Sequence, residues 1–160
     1  MVDLARSAPA RPVRRGNDRG PVREFLVFSL AGELYGVELT GIKEILSPPP
    51  ITPVPRSGRD VVGVCSVRGL LVTVLDLRRR LRLEERPVGR RTRILLAMSQ
   101  SGEVTGLLVD DVRQVVRLAE SEVEVAAAAL GGDVAEHVMG VGRPGGVFLV
   151  LLDLKAILRD

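Results

Sequence analysis

The feature that most constrains this chain is that it repeats itself. Gly32-Glu33-Leu34-Tyr35-Gly36-Val37 returns 70 residues later as Gly102-Glu103-Val104-Thr105-Gly106-Leu107. Ile42-Lys43-Glu44-Ile45-Leu46 returns at the same offset as Val112-Arg113-Gln114-Val115-Val116. The offset then becomes 77: Gly63-Val64 aligns with Gly140-Val141, and Gly69, Val74, Asp76, Leu77, Arg78 and Leu81 align with Gly146, Leu151, Asp153, Leu154, Lys155 and Leu158. The extra residues are expected in a longer loop around Ala126 to Asp133. A small β unit buries little alone, so two copies should pack together about a pseudo-twofold and leave a groove at their seam.

Within the first copy the runs are short, rich in β-branched residues and bounded by Gly or Pro, which suits strands better than helices. Phe25 to Leu30 and Leu34 to Leu39 read as a hairpin around Ala31-Gly32-Glu33, and Ile42 to Leu46 as a third strand after a bend at Gly41. Val61 to Val67 and Leu70 to Leu75 read as two buried strands joined by the charged turn Arg68-Gly69. Asp76 is the residue type that caps a short helix beginning at Leu77, and Asp153 occupies the equivalent place. The predicted fold is mostly β, two five-stranded barrel lobes with short capped helices. Lobe 1 spans about 24–81, a basic linker 82–93, and lobe 2 about 94–160. Residues 1–23, rich in Pro, Gly, Ala and Arg without apolar periodicity, read as a disordered basic arm.

The charges are unevenly placed. Residues 1–23 hold six arginines against two aspartates, residues 78–93 hold eight arginines against two glutamates, and the remainder has nine basic against sixteen acidic residues. The folded body is therefore acidic, and the basic stretch 78–93 reads as a solvated helix end and loop rather than a nucleic-acid surface. The few aromatics, Phe25, Phe28, Tyr35 and Phe148, lie in patterns that need them for packing. The apolar runs are far shorter than the roughly 20 residues of a membrane span. The N-terminal arginines precede no apolar stretch, so no secretory signal is expected and the cytoplasm is the default.

Chemistry is hard to find. One histidine, His137, and one cysteine, Cys65, exclude a nitrogen and sulfur metal cluster and leave any nucleophile without an oriented base. Gly140-Val141-Gly142-Arg143-Pro144-Gly145 fits a dinucleotide fingerprint as a string, but a strand follows it where a helix is needed. Cys65 lies in an apolar strand and should pack as a small hydrophobe. The expectation is no catalytic residue, no cofactor and no metal. Gly63, Asp76, Gly140 and Asp153 recur in both copies and read as structural. Arg68 does not: its counterpart is Gly145, so the architecture does not require an arginine there.

Glu24-Phe25-Leu26-Val27-Phe28, Tyr35-Gly36-Val37, Ile42-Lys43-Glu44-Ile45, Thr52-Pro53-Val54-Pro55, Gly63-Val64-Cys65-Ser66-Val67-Arg68-Gly69 and Val74-Leu75-Asp76-Leu77-Arg78 resemble, in order and spacing, the CheW family. The resemblance runs from about Glu24 to Leu158. It implies a non-catalytic adaptor, without cofactor, that couples the cytoplasmic tips of transmembrane chemoreceptors to a CheA-type histidine kinase. It also implies a cytoplasmic location at receptor arrays and no nucleic-acid partner. Where the family usually shows Asn-Leu-Arg-Gly this chain has Ser66-Val67-Arg68-Gly69, so only the arginine and glycine carry over. On the resemblance, Arg68, Gly69, Ile42, Glu44 and Val64 are candidate receptor-binding residues. The rival readings are a CheW-like scaffold for a kinase in a specialised developmental or motility pathway without a standard receptor, and a nucleic-acid-binding β-barrel using the basic linker.

Overall fold

The computed structural model describes residues 20–125 and 136–159. The first copy supplies β1 (Val22–Leu30), β2 (Glu33–Glu38), β3 (Ile42–Leu46), β4 (Val61–Val67), β5 (Leu70–Asp76) and α1 (Leu77–Arg80). The second supplies β6 (Arg93–Met98), β7 (Val104–Val109), β8 (Asp111–Ala119), β9 (Val138–Gly142), β10 (Leu149–Leu152) and α2 (Leu154–Leu158). These form two five-stranded sheets, ordered β9-β10-β2-β1-β8 and β3-β6-β7-β5-β4.

The two sheets do not follow the sequence division into 24–81 and 94–160. Each copy gives its first two strands to one sheet and its last three to the other. After β2 the chain bends through the 3₁₀ turn Leu39–Gly41, and β3 leaves its own hairpin to pair with β6, Ile45 opposite Leu95. The second copy mirrors this: β8 leaves β7 and pairs with β1, Leu26 opposite Val115. The swap is completed by two parallel contacts, β10 with β2 and β5 with β7. A swapped strand keeps the same alternation and the same buried faces as an unswapped one, so the repeat pattern is blind to which copy a strand joins.

Alternation places the core on both faces of each sheet. Phe25 and Val27 point with Leu118, Leu149 and Leu151 into a cluster belonging to the first sheet, while Cys65, Val72, Val74, Ile94, Leu96 and Leu108 fill the second sheet's own cluster. Between them a third cluster takes Leu26, Phe28, Leu30, Tyr35 and Val37 from the first sheet and Leu75, Leu95, Leu107 and Val109 from the second. Leu77, Leu81 and Ile157 add to it from the two helical segments. A fully buried side chain of this size stabilises by about 1.5–3 kcal/mol, so the central cluster welds the sheets into one unit.

Order begins earlier than expected: Val22 and Arg23 lie in β1, paired with Ala119 and Leu118. Strand pairing there uses backbone groups and needs no apolar period. The rest of the expected arm, residues 1–19, and the expected loop at Ala126 to Asp133 lie outside the described residues. No helix among the described residues is long and apolar enough to cross a membrane.

Candidate protein-interaction site

The two copies use the same devices to support their last hairpins. Asp76 accepts the Arg78 N–H at 2.9 Å at the start of α1, and Asp153 accepts the Lys155 N–H at 3.0 Å at the start of α2. Gly63 lets the Thr52 segment reach the edge of β4, where Thr52 and Val64 exchange two backbone hydrogen bonds of 2.8 Å. A Cβ on Gly63 would lie 2.2 Å from the Thr52 carbonyl oxygen. Gly140 plays the same part for Glu124 and Val141, with a Cβ 2.7 Å from the Glu124 carbonyl oxygen.

The stretch 78–93 is not uniformly solvated, which corrects the expectation at its first residues. Arg78 is only 4% exposed. Its Nε and Nη2 donate to the two Asp76 oxygens at 3.1 Å each, and its Nη1 lies 3.0 Å from Asp110 Oδ1. Asp110 Oδ2 in turn accepts the Ala31 N–H at 2.8 Å. Burial pulls the guanidinium's pKa down, but the hydrogen bond and charge of Asp76, with Asp110 and Glu85 behind it, outweigh that and hold it above its ordinary value. The clamp ties β5 of one sheet to the β1–β2 turn of the other. Sequence reasoning missed it, though one signal was available: the arginine aligns with Lys155, which is exposed and lacks the planar fork.

On this support the β4–β5 hairpin projects. Its turn has two residues, with Val67 opposite Leu70, and both carry positive φ, 50° at Arg68 and 83° at Gly69. That is the conformation a two-residue hairpin turn demands, and glycine meets it without steric cost. At the aligned positions the second copy has Gly145 and Gly146, also at positive φ, within a longer connection from Gly142 to Leu149. Arg68 therefore sits where the backbone would favour glycine.

Pairing of β5 with β7 starts only at Thr73. Leu70 and Leu71, paired on one side with β4, consequently extend past the end of β7 and are 70% and 78% exposed, against the expectation of a strand buried throughout. Beside them Arg68 Nη2 donates to Glu44 Oε2 on β3 at 2.5 Å. That hydrogen bond, followed by the charges of Arg68 and Lys43, holds the Glu44 carboxyl below its usual range even though the pair is exposed. Arg68, Glu44, Leu70 and Leu71, with Val67, Leu96 and Val104, line one groove of about 830 Å³.

The structure thus brings together Arg68, Gly69 and Glu44 among the candidate residues, and leaves two apart. Ile42 pairs with Ala97 and packs against the central cluster. Val64 pairs with Thr73 and bridges to Thr52. Leu70 and Leu71 were missed as surface residues because an unbroken apolar run gives no sign that a strand outruns its neighbour. Cys65 is buried, and burial raises its thiol's pKa. Among the described residues no group of three or more His, Cys, Asp or Glu could hold a metal ion.

Fold and groove together define a duplicated, two-sheet β domain that offers an apolar edge with charged side chains, Arg68 and Glu44 among them, along its groove. The chain belongs to the CheW-like domain family, whose model matches residues 24–160. It is 30% identical over 135 residues to the chemotaxis protein CheW of Bacillus subtilis, covering 84% of this chain and 86% of that one. It is 34% identical over 127 residues to protein FrzA of Myxococcus xanthus, covering 79% and 78%. The crystal structure of the scaffolding protein TtCheW from Thermoanaerobacter tengcongensis superposes with a TM-score of 0.79 at 25% identity, over 88% of this chain and 94% of that one.

Proposed function

We propose that this protein is a non-catalytic adaptor that joins the cytoplasmic tip of a transmembrane chemoreceptor to a CheA-type histidine kinase, in the cytoplasm at membrane-associated arrays. The observation that carries this is the exposed Leu70-Leu71 pair beside the Arg68–Glu44 ion pair on a groove, in a chain of the CheW-like family. A helical receptor tip would lay its apolar ridge on the leucines. Arg68, which Glu44 holds in place in the free protein, would turn its remaining donors to a carboxylate or carbonyl of the partner. The adaptor transmits by position: it shifts the kinase only so far as its contacts differ between the kinase's two states.

The test is a pull-down with the full chain as bait and Arg68→Ala beside it. Recovery of a receptor and a kinase, with the receptor alone lost in the variant, is the expected result. Recovery of neither would overturn the reading. The rival reading is a kinase scaffold in a specialised developmental or motility pathway without a standard receptor; there the kinase is captured and Arg68→Ala changes nothing.

A further inference from the structure

Beside that groove, where α1 and α2 approach each other, five arginines converge on one cavity of about 440 Å³: Arg59, Arg79, Arg80, Arg82 and Arg159, against the carboxylates of Asp60 and Glu136. The five are not equivalent. Arg80 is consumed by the fold: its Nε and Nη2 donate to the Ile157 carbonyl at 2.9 and 2.6 Å, and its Nη1 reaches Asp60 Oδ2 at 3.1 Å. That clasp neutralises one of the two carboxylates and fixes the C-terminal helix against α1. Arg79 is partly committed, 3.2 Å from Glu85. Arg59 and Arg159 come from distant parts of the chain and reach the cavity with no ion pair to an acidic side chain among the described residues, where their carbonyls accept hydrogen bonds from Arg79 and Arg80.

We propose that this cavity binds a phosphoryl anion of two or more negative charges. Guanidinium forks match phosphoryl oxygens bidentately, and here they are gathered around a concavity instead of being spread along a stripe, the arrangement a nucleic-acid backbone would need. Among the described residues no Phe, Tyr or Trp lines the cavity, so it lacks the large rings on which nucleic-acid bases are usually stacked. The cavity adjoins the Arg68 groove, with which it shares Arg59, Asp60 and Arg80, but its anion chemistry rests on the gathered guanidinium groups and does not depend on the adaptor reading. The anion can come from a free polyphosphate-type metabolite or from a phosphorylated side chain of a partner protein.

The wall also contains His137, the chain's single histidine, whose ring protons give one unambiguous NMR reporter. Full-length protein is titrated at constant ionic strength with sodium pyrophosphate, with a phosphoserine peptide and with sodium chloride. Saturable movement of the His137 signals with either phosphoryl probe, and none with chloride, is expected, and whichever probe binds tighter identifies the source. The double variant Arg59→Gln, Arg159→Gln should weaken that probe by about tenfold or more, whereas Arg113→Gln, outside the cavity, should not. A chloride response equal to the phosphoryl response overturns the site, as does affinity unchanged in the double variant while its β-sheet spectrum is intact. Binding of duplex DNA in preference to both probes, unaffected by the double variant, also overturns it.

Discussion

The two hairpin tips occupy equivalent places in a duplicated fold and differ in what they present. At the first, a two-residue turn carries Arg68, which meets Glu44, and Leu70 and Leu71 extend past the end of the neighbouring β7. At the second, residues 143–148 span the gap between Gly142 and Leu149, and the turn positions are both glycine. There Arg143 pairs with Glu124 and lies 5.8 Å over the ring of Phe148, and Val147 and Phe148 are each about half exposed. Both tips thus show two adjacent apolar residues and an arginine–glutamate pair. Only the first puts its arginine at the apex of a tight turn, on the rim of a groove, with the guanidinium free of any ring. Duplication supplies the scaffold twice, and the two tips differ in what they present on it.

The comparison breaks most visibly at the helix starts. Arg78→Met strands Asp76 and Asp110 with a buried charge and no guanidinium, and should cost about 3–5 kcal/mol in urea unfolding. The equivalent Lys155→Met, on an exposed side chain, should stay within about 0.5 kcal/mol. Similar losses for the two would mean that the clamp is unimportant.

Next come the glycines that admit the bridging segments. Gly63→Ala and Gly140→Ala should each cost about 1–3 kcal/mol through overpacking, with Gly63 the worse because its Cβ meets a carbonyl oxygen at 2.2 Å and not 2.7 Å. Equal thermal shifts would remove the distinction.

The smallest effect concerns protonation. Glu44 is held below its usual range by Arg68, so whatever the pair contributes is complete above the ordinary glutamate range and fades only as pH falls through the depressed folded value. Carboxyl NMR should place the Glu44 midpoint below that of an exposed glutamate. Arg68→Gln should move it back up, and a midpoint that does not move would show that the ion pair is absent in solution.

Much of this was legible in advance, and the limits have physical causes. The strands, both caps and the charged turn were readable because each follows from local chemistry, alternation or a carboxylate before a helix, and the two glycines because they recur in both copies. The exchange of strands between sheets was not, since it leaves every local pattern unchanged. The exposure of Leu70 and Leu71 depends on where β7 ends relative to β5, a matter of register. Arg78 looked like one more charge in a basic run, and its burial rests on Asp110, a residue 32 positions away in sequence that the sheet swap brings to it.

The central claim is that the first tip, and not the second, takes the receptor. The direct measurement is calorimetric binding of a receptor's cytoplasmic tip fragment to the full chain, to Arg68→Ala, to Leu71→Ser and to Phe148→Ser, each checked for an intact β-sheet spectrum. The account predicts that Arg68→Ala and Leu71→Ser weaken binding by about tenfold or more while Phe148→Ser leaves it unchanged. Undiminished affinity in the first two variants, or a loss confined to Phe148→Ser, would contradict it.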